Sequence, residues 1–443
     1  PRATPPAALA SQDPTFAGAP PLPRLPAQQQ LPPGALMLSS GLPDARLFPA
    51  RQLARAFRRA IEHKARVLLT YSQACGHERL RRELAAMLSR TRGLAATPEN
   101  LMVTRSIEQA IDLVARALLV PGDVVAVEQW GYPPAWNVLR LAGARLVPLP
   151  LDEDGLDVGS LETLLTHERV RAVFLTPHHQ FPTASVMSPE RRARLARLAI
   201  ERGFAIIEDD YDHEFHYAAK PVLPIAAGIG RANVVYVGSL SNLLAPGVGA
   251  GFVVAAPVVF ERLASLRAAS DARGDAAIEC AVAELFEDGE LLRHMRRMRR
   301  TYASRRDALV DALRYRLGDA LDFRVPPGGT ALWARADDAI DVPAWVAAAE
   351  REGVRCASAR AYDFAQRDER FMRLGFSYHD EAELDEAARR LASALAKSRT
   401  RERTRHPRAG PRRQRSDQTR PRGPSSPSPI LSTSLRPNLP SPS

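Results

Sequence analysis

A regular alternation of short apolar runs with amphipathic segments, over roughly the first 240 residues, limits the folds open to this chain. The apolar runs have the length and β-branched content of strands, and they cover residues 101–104, 124–128, 144–149, 172–176, 205–208 and 234–237. The intervening segments place apolar residues at helical spacing, over residues 52–64, 78–92, 107–119 and 189–203. Strand, helix and strand in this order predict an α/β fold with a large, doubly wound, mostly parallel sheet.

The pattern changes after about residue 260. A long, arginine-rich helical stretch is predicted over residues 291–314, and a last helix over 381–396. Between them lie short runs predicted as strands, at residues 323–325, 331–334 and 372–376. This part of the chain predicts a smaller α+β domain at the C-terminal end.

Composition completes the predicted domain organisation. Residues 1–35 are rich in Pro, Ala and Gln without any period and are predicted as a disordered linker. We expect an N-terminal segment, 36–64, to pack on the small domain, a large domain over 65–260 and the small domain over 261–396. Residues 397–443 are rich in Arg, Ser and Pro and are predicted as a disordered basic tail.

The basic charge belongs mainly to that tail. The formal net charge is +11, and residues 397–443 carry twelve Lys or Arg against two acids. The rest of the chain is therefore nearly neutral, and the high pI does not indicate a nucleic-acid-binding body. The tail itself suits either salt-sensitive, non-specific attraction to DNA or a solvated extension.

Several classes of protein are disfavoured. The three cysteines are far apart and form no CxxC pair, which argues against a disulfide framework or a zinc site and favours the cytoplasm. The uncharged segment 232–260 is broken by glycines and prolines, so a membrane span is not expected. The segment 247–251 lacks the spacing of a dinucleotide-binding loop. His178, His213 and their acidic neighbours have no ordered ligand spacing, so no metal site is predicted.

Polar residues follow several of the predicted strands. Tyr132, His179, Asp209 with Tyr211, and the segment 239–242 each come directly after a strand. In open α/β sheets, ligands bind beyond the carboxyl ends of the strands. The sequence therefore predicts a ligand site here. Taken alone, segment 208–214 would also suit a solvated acidic loop, and Tyr132 would suit a core or interface position.

Eight segments together resemble one family in its own order. These segments resemble the fold type I pyridoxal phosphate enzymes, and specifically the MocR branch of the GntR superfamily, from about residue 41 to residue 395. They are GLPDARLFP (41–49), YSQACGHERLRRELAAML (71–88), VEQWGYP (127–133), TPHHQFPT (176–183), IEDDYDHEFHY (207–217), VGSLSNLLAPGVGAGF (237–252), HMRRMRRTYASRRDAL (294–309) and MRLGFS (372–377).

The resemblance implies roles for individual residues around a pyridoxal ring. Asp209 matches the aspartate that keeps the ring nitrogen protonated, and Tyr211 matches the tyrosine that hydrogen-bonds the ring hydroxyl. Tyr132 matches the aromatic residue that stacks on the ring, and His179 lies near the ring hydroxyl. Tyr71 matches a tyrosine that reaches the phosphate of a neighbouring subunit, so the resemblance implies a homodimer.

Other matches concern the two ends of the ligand. Arg373 matches the arginine that clamps a substrate or effector carboxylate, a task that suits a bidentate guanidinium. Ser106 and Ile107 lie in the turn whose backbone amides cradle the phosphate. Ser239 matches a further residue of the cofactor site.

Three positions depart from the family pattern. Asn242 stands at the position of the lysine that forms the Schiff base, and an amide is neither a nucleophile nor a base. Gly249 stands where an arginine would pair with the phosphate. Glu108 adds a negative charge to the phosphate turn, which the neighbouring Arg105 could offset. Lys220 is a poor candidate for a replacement lysine. We therefore expect no catalytic residue at position 242, and pyridoxal phosphate held without a covalent bond, if at all.

The expected function is the effector-binding and dimerisation domain of a MocR-type transcription regulator. The resemblance implies a winged helix-turn-helix head that binds DNA. It also implies that the present domain binds a small effector, an amino acid or a pyridoxal compound. Because the chain begins with proline, we expect that sequence upstream of it is missing. Two alternatives stay open: a catalytic class I/II aminotransferase, and a cofactor-free pseudoenzyme that acts through dimer contacts.

Overall fold

The structure, a computed structural model, describes residues 32–39, 41–70, 73–217, 222–271 and 274–405. The predicted linker 1–35 lies outside them except for residues 32–35, and the predicted tail beyond 405 lies outside them entirely. The described residues up to 400 form one compact unit, and the described residues 401–405 belong to a second unit.

The strands are numbered in chain order. They are β1 Leu36–Met37, β2 Leu101–Thr104, β3 Val124–Glu128, β4 Arg145–Leu149, β5 Leu151–Asp152, β6 Gly155–Leu156, β7 Val170–Leu175, β8 Ala205–Asp210, β9 Val234–Ser239, β10 Gly251–Val254, β11 Leu321–Asp322, β12 Ala331–Ala336, β13 Val354–Arg355, β14 Ala357–Ser358 and β15 Phe371–Gly375.

The α-helices are numbered in the same way. They are α1 Ala50–Leu68, α2 Glu78–Arg92, α3 Ile107–Leu118, α4 Pro133–Leu141, α5 Val158–Leu164, α6 Pro189–Arg202, α7 Pro257–Ser270, α8 Ala276–Glu287, α9 Glu290–Leu317, α10 Val342–Arg351 and α11 Glu381–Arg405. Short 3₁₀ helices cover Ala45–Leu47, Ile225–Ala227, Arg231–Asn233, Pro246–Val248, Gly318–Ala320 and Ala359–Ala361.

Local signals explain where many of these helices begin and end. In α6, the Ser188 hydroxyl accepts a hydrogen bond from the backbone of Arg191, and Pro189 supplies the first helical residue. The helix ends at Gly203, whose φ of 72° is left-handed. The residues Leu195 and Ala199, one turn apart, are fully buried on the face that meets the sheet.

A seven-stranded sheet forms the centre of the molecule. Its strand order is β2-β10-β9-β8-β7-β3-β4, and every neighbouring pair is parallel except those that involve β10. Alternate residues of β3 enter different cores: Val125 and Val127 pack with α3 and α4, whereas Val124 and Ala126 pack with α5 and α6. The predicted doubly wound, mostly parallel sheet is therefore confirmed.

Strand β10 was missing from the sequence prediction. It lies antiparallel between β2 and β9, with Phe252 opposite Val103 on one side and Gly238 on the other. The run is only four residues long and follows a glycine-rich turn, so neither alternation nor composition marks it. Its hydrogen bonds come from pairing with β9 and with β2, and β2 lies about 150 residues earlier in the chain.

The smaller sheet has the order β11-β12-β15-β14 and is antiparallel. It shares a core with α9, α10 and α11. The strand predicted at 323–325 was wrong, since the first strand of this sheet ends at Asp322. Pro326 and Pro327 come directly after residues 323–325. A proline has no backbone N–H to donate to a neighbouring strand, and it restricts the backbone conformation of the residue before it.

Contacts of the N-terminal segment reach two parts of the molecule. Strand β1 pairs in parallel with β13, and Leu36 and Leu38 lie in the core of the smaller sheet. Helix α1 instead packs on α8. Helices α7 and α8, which fall within the predicted small domain, pack against α3 and α2 of the large sheet. The domain boundaries stay predictions, and these contacts favour placing the start of the small domain near α9.

Candidate functional site

A cavity of about 410 Å³ opens at the carboxyl ends of β8 and β9, beside the N-terminus of α3. Parallel strands end at the same edge of a sheet, so residues that are distant in sequence meet there. The lining residues are Ser39, Gly41, Leu42, Ser106, Ile107, Glu108, Tyr132, Phe181, Asp209, Tyr211, Ser239, Ser241, Asn242, Pro246, Thr330, Tyr362 and Arg373.

Asp209 is the buried acid of this cavity. It lies near the end of β8, its side chain is 3% exposed, and its Oδ1 atom has no hydrogen-bond partner among the described residues. Burial raises the pKa of Asp209 well above its ordinary value, and the nearby Asp210 and Glu108 carboxylates raise it further. An unpartnered buried carboxyl calls for a ligand group that donates a hydrogen bond or carries a positive charge.

Tyr211 lines the cavity next to Asp209, and its hydroxyl donates a hydrogen bond of 2.9 Å to the backbone oxygen of His179. The imidazole of His179 is buried away from the cavity. Its Nδ1 atom lies 2.7 Å from Oδ1 of Asp212. The backbone of His179, not its ring, therefore contacts the tyrosine that the resemblance assigns to the ring hydroxyl.

A layer of buried charge lies behind Asp209. Arg92 is fully buried and donates hydrogen bonds to the Tyr236 hydroxyl and to Glu214. The Tyr236 hydroxyl donates in turn to Oδ2 of Asp210 at 2.5 Å, and Nδ1 of His213 lies 2.9 Å from the same oxygen. Although burial opposes ionisation, His213 and Arg92 hold the pKa of Asp210 well below its ordinary value. This network orders the turn that carries Asp209 and Tyr211.

Asn242 lies in the turn after β9. Its side-chain amide donates a 3.3 Å hydrogen bond to the backbone oxygen of Tyr211. Ser239, the last residue of β9, donates through Oγ to Oγ of Ser241 at 2.8 Å and accepts from the Ser241 backbone N–H at 2.9 Å. Both serines and Asn242 thus line the cavity with short, neutral polar groups.

The N-terminus of α3 forms the next wall. Ser106 caps the helix, because its Oγ accepts a hydrogen bond from the backbone N–H of Gln109 at 3.2 Å. Glu108 lies in the first turn and accepts a 2.6 Å hydrogen bond from the Tyr132 hydroxyl. Burial and the Glu108 carboxylate both raise the pKa of Tyr132, so its phenol stays protonated. Glu108 is also one of the lining residues, so it contributes an acidic side chain to the cavity.

Arg373 carries the positive charge among the described lining residues. It lies in β15 of the smaller sheet, and its guanidinium carbon is 4.8 Å from the centre of the Phe181 ring. One of its terminal nitrogens is 3.5 Å from the backbone oxygen of Ser39, and its buried Nε atom has no partner among the described residues. Much of its donor capacity is therefore left for a ligand.

The cavity brings together eight of the residues predicted from the sequence. These are Ser106, Ile107, Tyr132, Asp209, Tyr211, Ser239, Asn242 and Arg373. His179 contributes only its backbone, and Tyr71 and Lys220 lie outside the described residues.

Sequence reasoning missed several residues of the cavity. Phe181 and Tyr362 stand edge to face with ring centres 5.3 Å apart, and Phe181 also meets Tyr132 at 5.4 Å. Phe181 follows the predicted strand 172–176 and lies in the family segment 176–183, so its position could have identified it as a residue of the cavity. Loops without any periodicity contribute Tyr362, Ser39 and Thr330, so no feature of the sequence indicated that these residues line the cavity.

The described residues show neither a metal-binding cluster nor a membrane-spanning helix. Within the described ranges, no group of three or more His, Cys, Asp or Glu side chains is arranged to hold a metal ion. No helix in the described part of the chain is long and apolar enough to cross a bilayer. The cysteines Cys75, Cys280 and Cys356 are all free thiols.

Comparison with known proteins places this geometry in a family. The chain matches the family described as aminotransferase class I and II over residues 35–391. It is 30% identical over 366 residues to aromatic-amino-acid aminotransferase 1 of Thermococcus litoralis, a match that covers 81% of this chain and 88% of the relative. It is 31% identical over 364 residues to the probable rhizopine catabolism regulatory protein MocR of Rhizobium meliloti, covering 82% of this chain and 73% of the relative.

A solved structure agrees with these matches. The α-aminoadipate aminotransferase LysN of Thermus thermophilus, complexed with N-(5'-phosphopyridoxyl)-L-leucine, superposes with a TM-score of 0.77 at 29% identity. That superposition covers 83% of this chain and 94% of LysN. The predicted fold type I of the pyridoxal phosphate enzymes is confirmed. Relatives of the chain include both transcription regulators and aminotransferases, and the chain belongs to the class I and II aminotransferase family.

Proposed function

We propose that this chain is the effector-binding and dimerisation domain of a MocR-type transcription regulator, and that it does not catalyse transamination. One observation carries the proposal. Asn242 lines the cavity and donates its amide to the backbone oxygen of Tyr211, at the position where the resemblance expects the lysine. An amide can neither form the covalent bond to the cofactor nor move the proton that transamination requires.

The regulator relatives support the rest of the proposal. The match to MocR leaves about a quarter of that regulator uncovered, which is room for the winged helix-turn-helix head that the resemblance implies. In this proposal the head binds DNA, the present chain binds the effector and forms a homodimer, and the whole acts in the cytoplasm.

The ring end of the cavity suits a pyridine ring. Such a ring, when its nitrogen is protonated, withdraws electrons from a bound substrate. The orphaned Oδ1 of Asp209 would accept the hydrogen bond of that nitrogen, the Tyr211 hydroxyl lies alongside, and Tyr132 supplies an aromatic face.

The anchoring end does not suit pyridoxal phosphate. Neither Asn242 nor Gly249 offers a positive charge, and Glu108 supplies a negative one beside the capping turn of α3. The residues therefore do not fit a cofactor that is covalently bound and held by its phosphate. We propose that any pyridoxal compound in this cavity is held without a covalent bond.

A second candidate is a catalytic class I/II aminotransferase. The observation in its favour is that Asp209, Tyr211, Tyr132 and Arg373 converge on one cavity, and that relatives about 30% identical are named aminotransferases. This candidate requires a lysine from elsewhere in the chain, where only Lys64, Lys220 and Lys397 exist.

The test is a titration of the purified protein with pyridoxal phosphate and with pyridoxal, followed by borohydride reduction and peptide mass mapping. We expect no reduced adduct in the natural protein. In an Asn242→Lys variant we expect an adduct on the peptide that contains position 242, because an amine then faces the cavity. Both compounds carry the aldehyde, but only pyridoxal phosphate carries the phosphate. An adduct with pyridoxal alone would therefore show that the cavity rejects the phosphate, whereas no adduct with either would show that no amine reacts.

Two outcomes would contradict the proposal. A stoichiometric adduct at Lys220 or another native lysine would revive the enzyme, as would turnover of any amino donor and keto acid. A Lys220→Arg variant is the matched control, because it removes that lysine and keeps the charge.

A further inference from the structure

The cavity is lined by acidic and basic side chains that come from different elements. Glu108 and Asp209 lie on the side formed by α3 and β8, and Arg373 faces the cavity from β15. Among the described lining residues, Arg373 is the only cation. This distribution bears on the chemical class of the ligand, an inference that rests on the proposed effector-binding function.

The helix N-terminus is occupied by the chain's own carboxylate. The first turn of a helix attracts anions because its backbone amides and dipole are positive there. In α3 that turn carries Glu108, and the Tyr132 hydroxyl holds the carboxylate at 2.6 Å. The field of Glu108 reaches Asp209, whose pKa it helps to raise. A phosphate brought to this turn would meet a fixed negative charge in a partly buried site.

The turn between β9 and β10 offers no positive charge to compensate for Glu108. Its backbone geometry at Gly249 also disfavours a cationic side chain. Gly249 has a φ of 64°, and a Cβ atom there would lie 3.0 Å from the backbone oxygen of Arg105. Any side chain, cationic or not, is therefore strained at this position. Asn242, Ser239 and Ser241 are neutral, and their hydrogen bonds are made largely within the protein.

We propose that this cavity takes a phosphate-free, cationic ligand, whose positive group pairs with Glu108 and which donates a hydrogen bond to Asp209, and that it selects against phosphate esters. An aromatic or flat ligand body would lie against Tyr132 and Phe181. A carboxylate on the ligand, where it has one, would meet Arg373. The half-buried Glu108 carboxylate favours a cation beside it and disfavours a second anion for the same electrostatic reason. The unpartnered Oδ1 atom of Asp209 favours a ligand group that donates a hydrogen bond.

The experiment compares two probes that differ only in the phosphate: pyridoxamine and pyridoxamine 5'-phosphate. Their dissociation constants are measured by isothermal titration calorimetry for the natural protein, a Glu108→Gln variant and an Asp112→Asn variant. Glutamine keeps the acceptor for Tyr132 and removes the charge. Asp112 lies on the same helix, pairs with Arg116 at the surface and is not part of the cavity, so its substitution controls for net charge.

We expect the natural protein to bind pyridoxamine at least about tenfold more tightly than its phosphate ester. The Glu108→Gln variant should lose most of that preference, and the Asp112→Asn variant should keep it. Equal or tighter binding of the phosphate ester, an unchanged ratio in Glu108→Gln, or no binding of either probe would overturn the inference. Neither probe has an aldehyde, so a failure here leaves the proposed lack of catalysis untouched.

Discussion

His178 and Asp209 are both buried at the carboxyl ends of neighbouring strands, and burial acts on their pKa values in opposite senses. Burial favours the neutral form of each, which raises the pKa of the Asp209 carboxyl and lowers the pKa of the His178 imidazole. The His178 ring stacks on His213 with ring centres 4.3 Å apart, and neither of its nitrogens has a partner in the part of the chain that the structure describes. A neutral His178 is therefore a condition of the folded state.

The protonation of His178 predicts a pH dependence of stability. In the unfolded chain this imidazole binds a proton below about pH 6.5, whereas the folded chain keeps it neutral. The unfolded state then binds more protons, so the free energy of unfolding falls as pH drops below about 6.5. We expect His178→Ser to reduce this slope by up to about 1.4 kcal/mol per pH unit.

Urea unfolding at pH 7.5 and pH 5.5 measures the difference. The comparison of slopes, not of absolute stability, removes the effect of the smaller side chain. His167 is exposed on the surface, so His167→Ser should leave the slope unchanged. If both variants keep the slope of the natural protein, His178 is not the buried neutral group described here.

At the scale of elements, the junction of β10 with the start of α3 decides the shape of the cavity. Gly251 begins β10 opposite Thr104, and a Cβ atom there would lie 2.5 Å from the Thr104 Oγ1 atom and 2.6 Å from the backbone oxygen of Ser106. The absence of a side chain lets the strand approach the capping residue of α3. The wall that carries Glu108 depends on that approach.

Gly251→Ala should therefore destabilise the protein by about 1–3 kcal/mol, because the methyl group forces β10 away from Thr104 and from the capping residue of α3. Gly247→Ala is the matched control: a Cβ atom at Gly247 meets nothing within 4 Å, so its effect should be near zero or slightly stabilising. Urea unfolding followed by circular dichroism gives both values. Equal stability of the two variants would contradict the close packing of β10 on the α3 cap.

At the scale of the whole molecule, a buried ion pair ties the N-terminal segment to the smaller sheet's helices. Asp44 accepts a 2.9 Å hydrogen bond from Arg305 of α9, and the same guanidinium donates to the backbone oxygen of Ser377 at 2.7 Å. Ser377 in turn donates to the backbone oxygen of Leu42. These bonds hold the segment that lines one side of the cavity, where Gly41 and Leu42 lie.

Asp44→Asn should cost about 3–5 kcal/mol, because it leaves the Arg305 guanidinium buried without its counter-charge. The exposed pair Asp338 and Arg335 provides a control, and Asp338→Asn should change stability by less than about 1 kcal/mol. Thermal and urea unfolding check both. A small loss in Asp44→Asn would contradict this role of the ion pair, and would mean that the bond from Arg305 to the Ser377 backbone oxygen holds the segment without the Asp44 charge.

Local sequence was enough to predict most strands of the large sheet and several of its helices, and the family resemblance named eight residues of the cavity. Periodicity and caps are local, so helices such as α2 and the strand Val124–Glu128 could be read directly. Asp209, Tyr211 and Asn242 were identifiable because polar residues after parallel strands share one edge.

Features that depend on distant pairing emerged only from the folded chain. Strand β10 is too short to carry a pattern, and its place follows from partners about 150 residues away. Tyr362 and Ser39 reach the cavity from loops, and His179 turns its ring towards Asp212 instead of the cavity. The bond between Tyr132 and Glu108 also joins residues 24 apart in the chain. Such contacts cannot be predicted from local sequence, because they form, and stabilise the protein, only when the whole chain has folded.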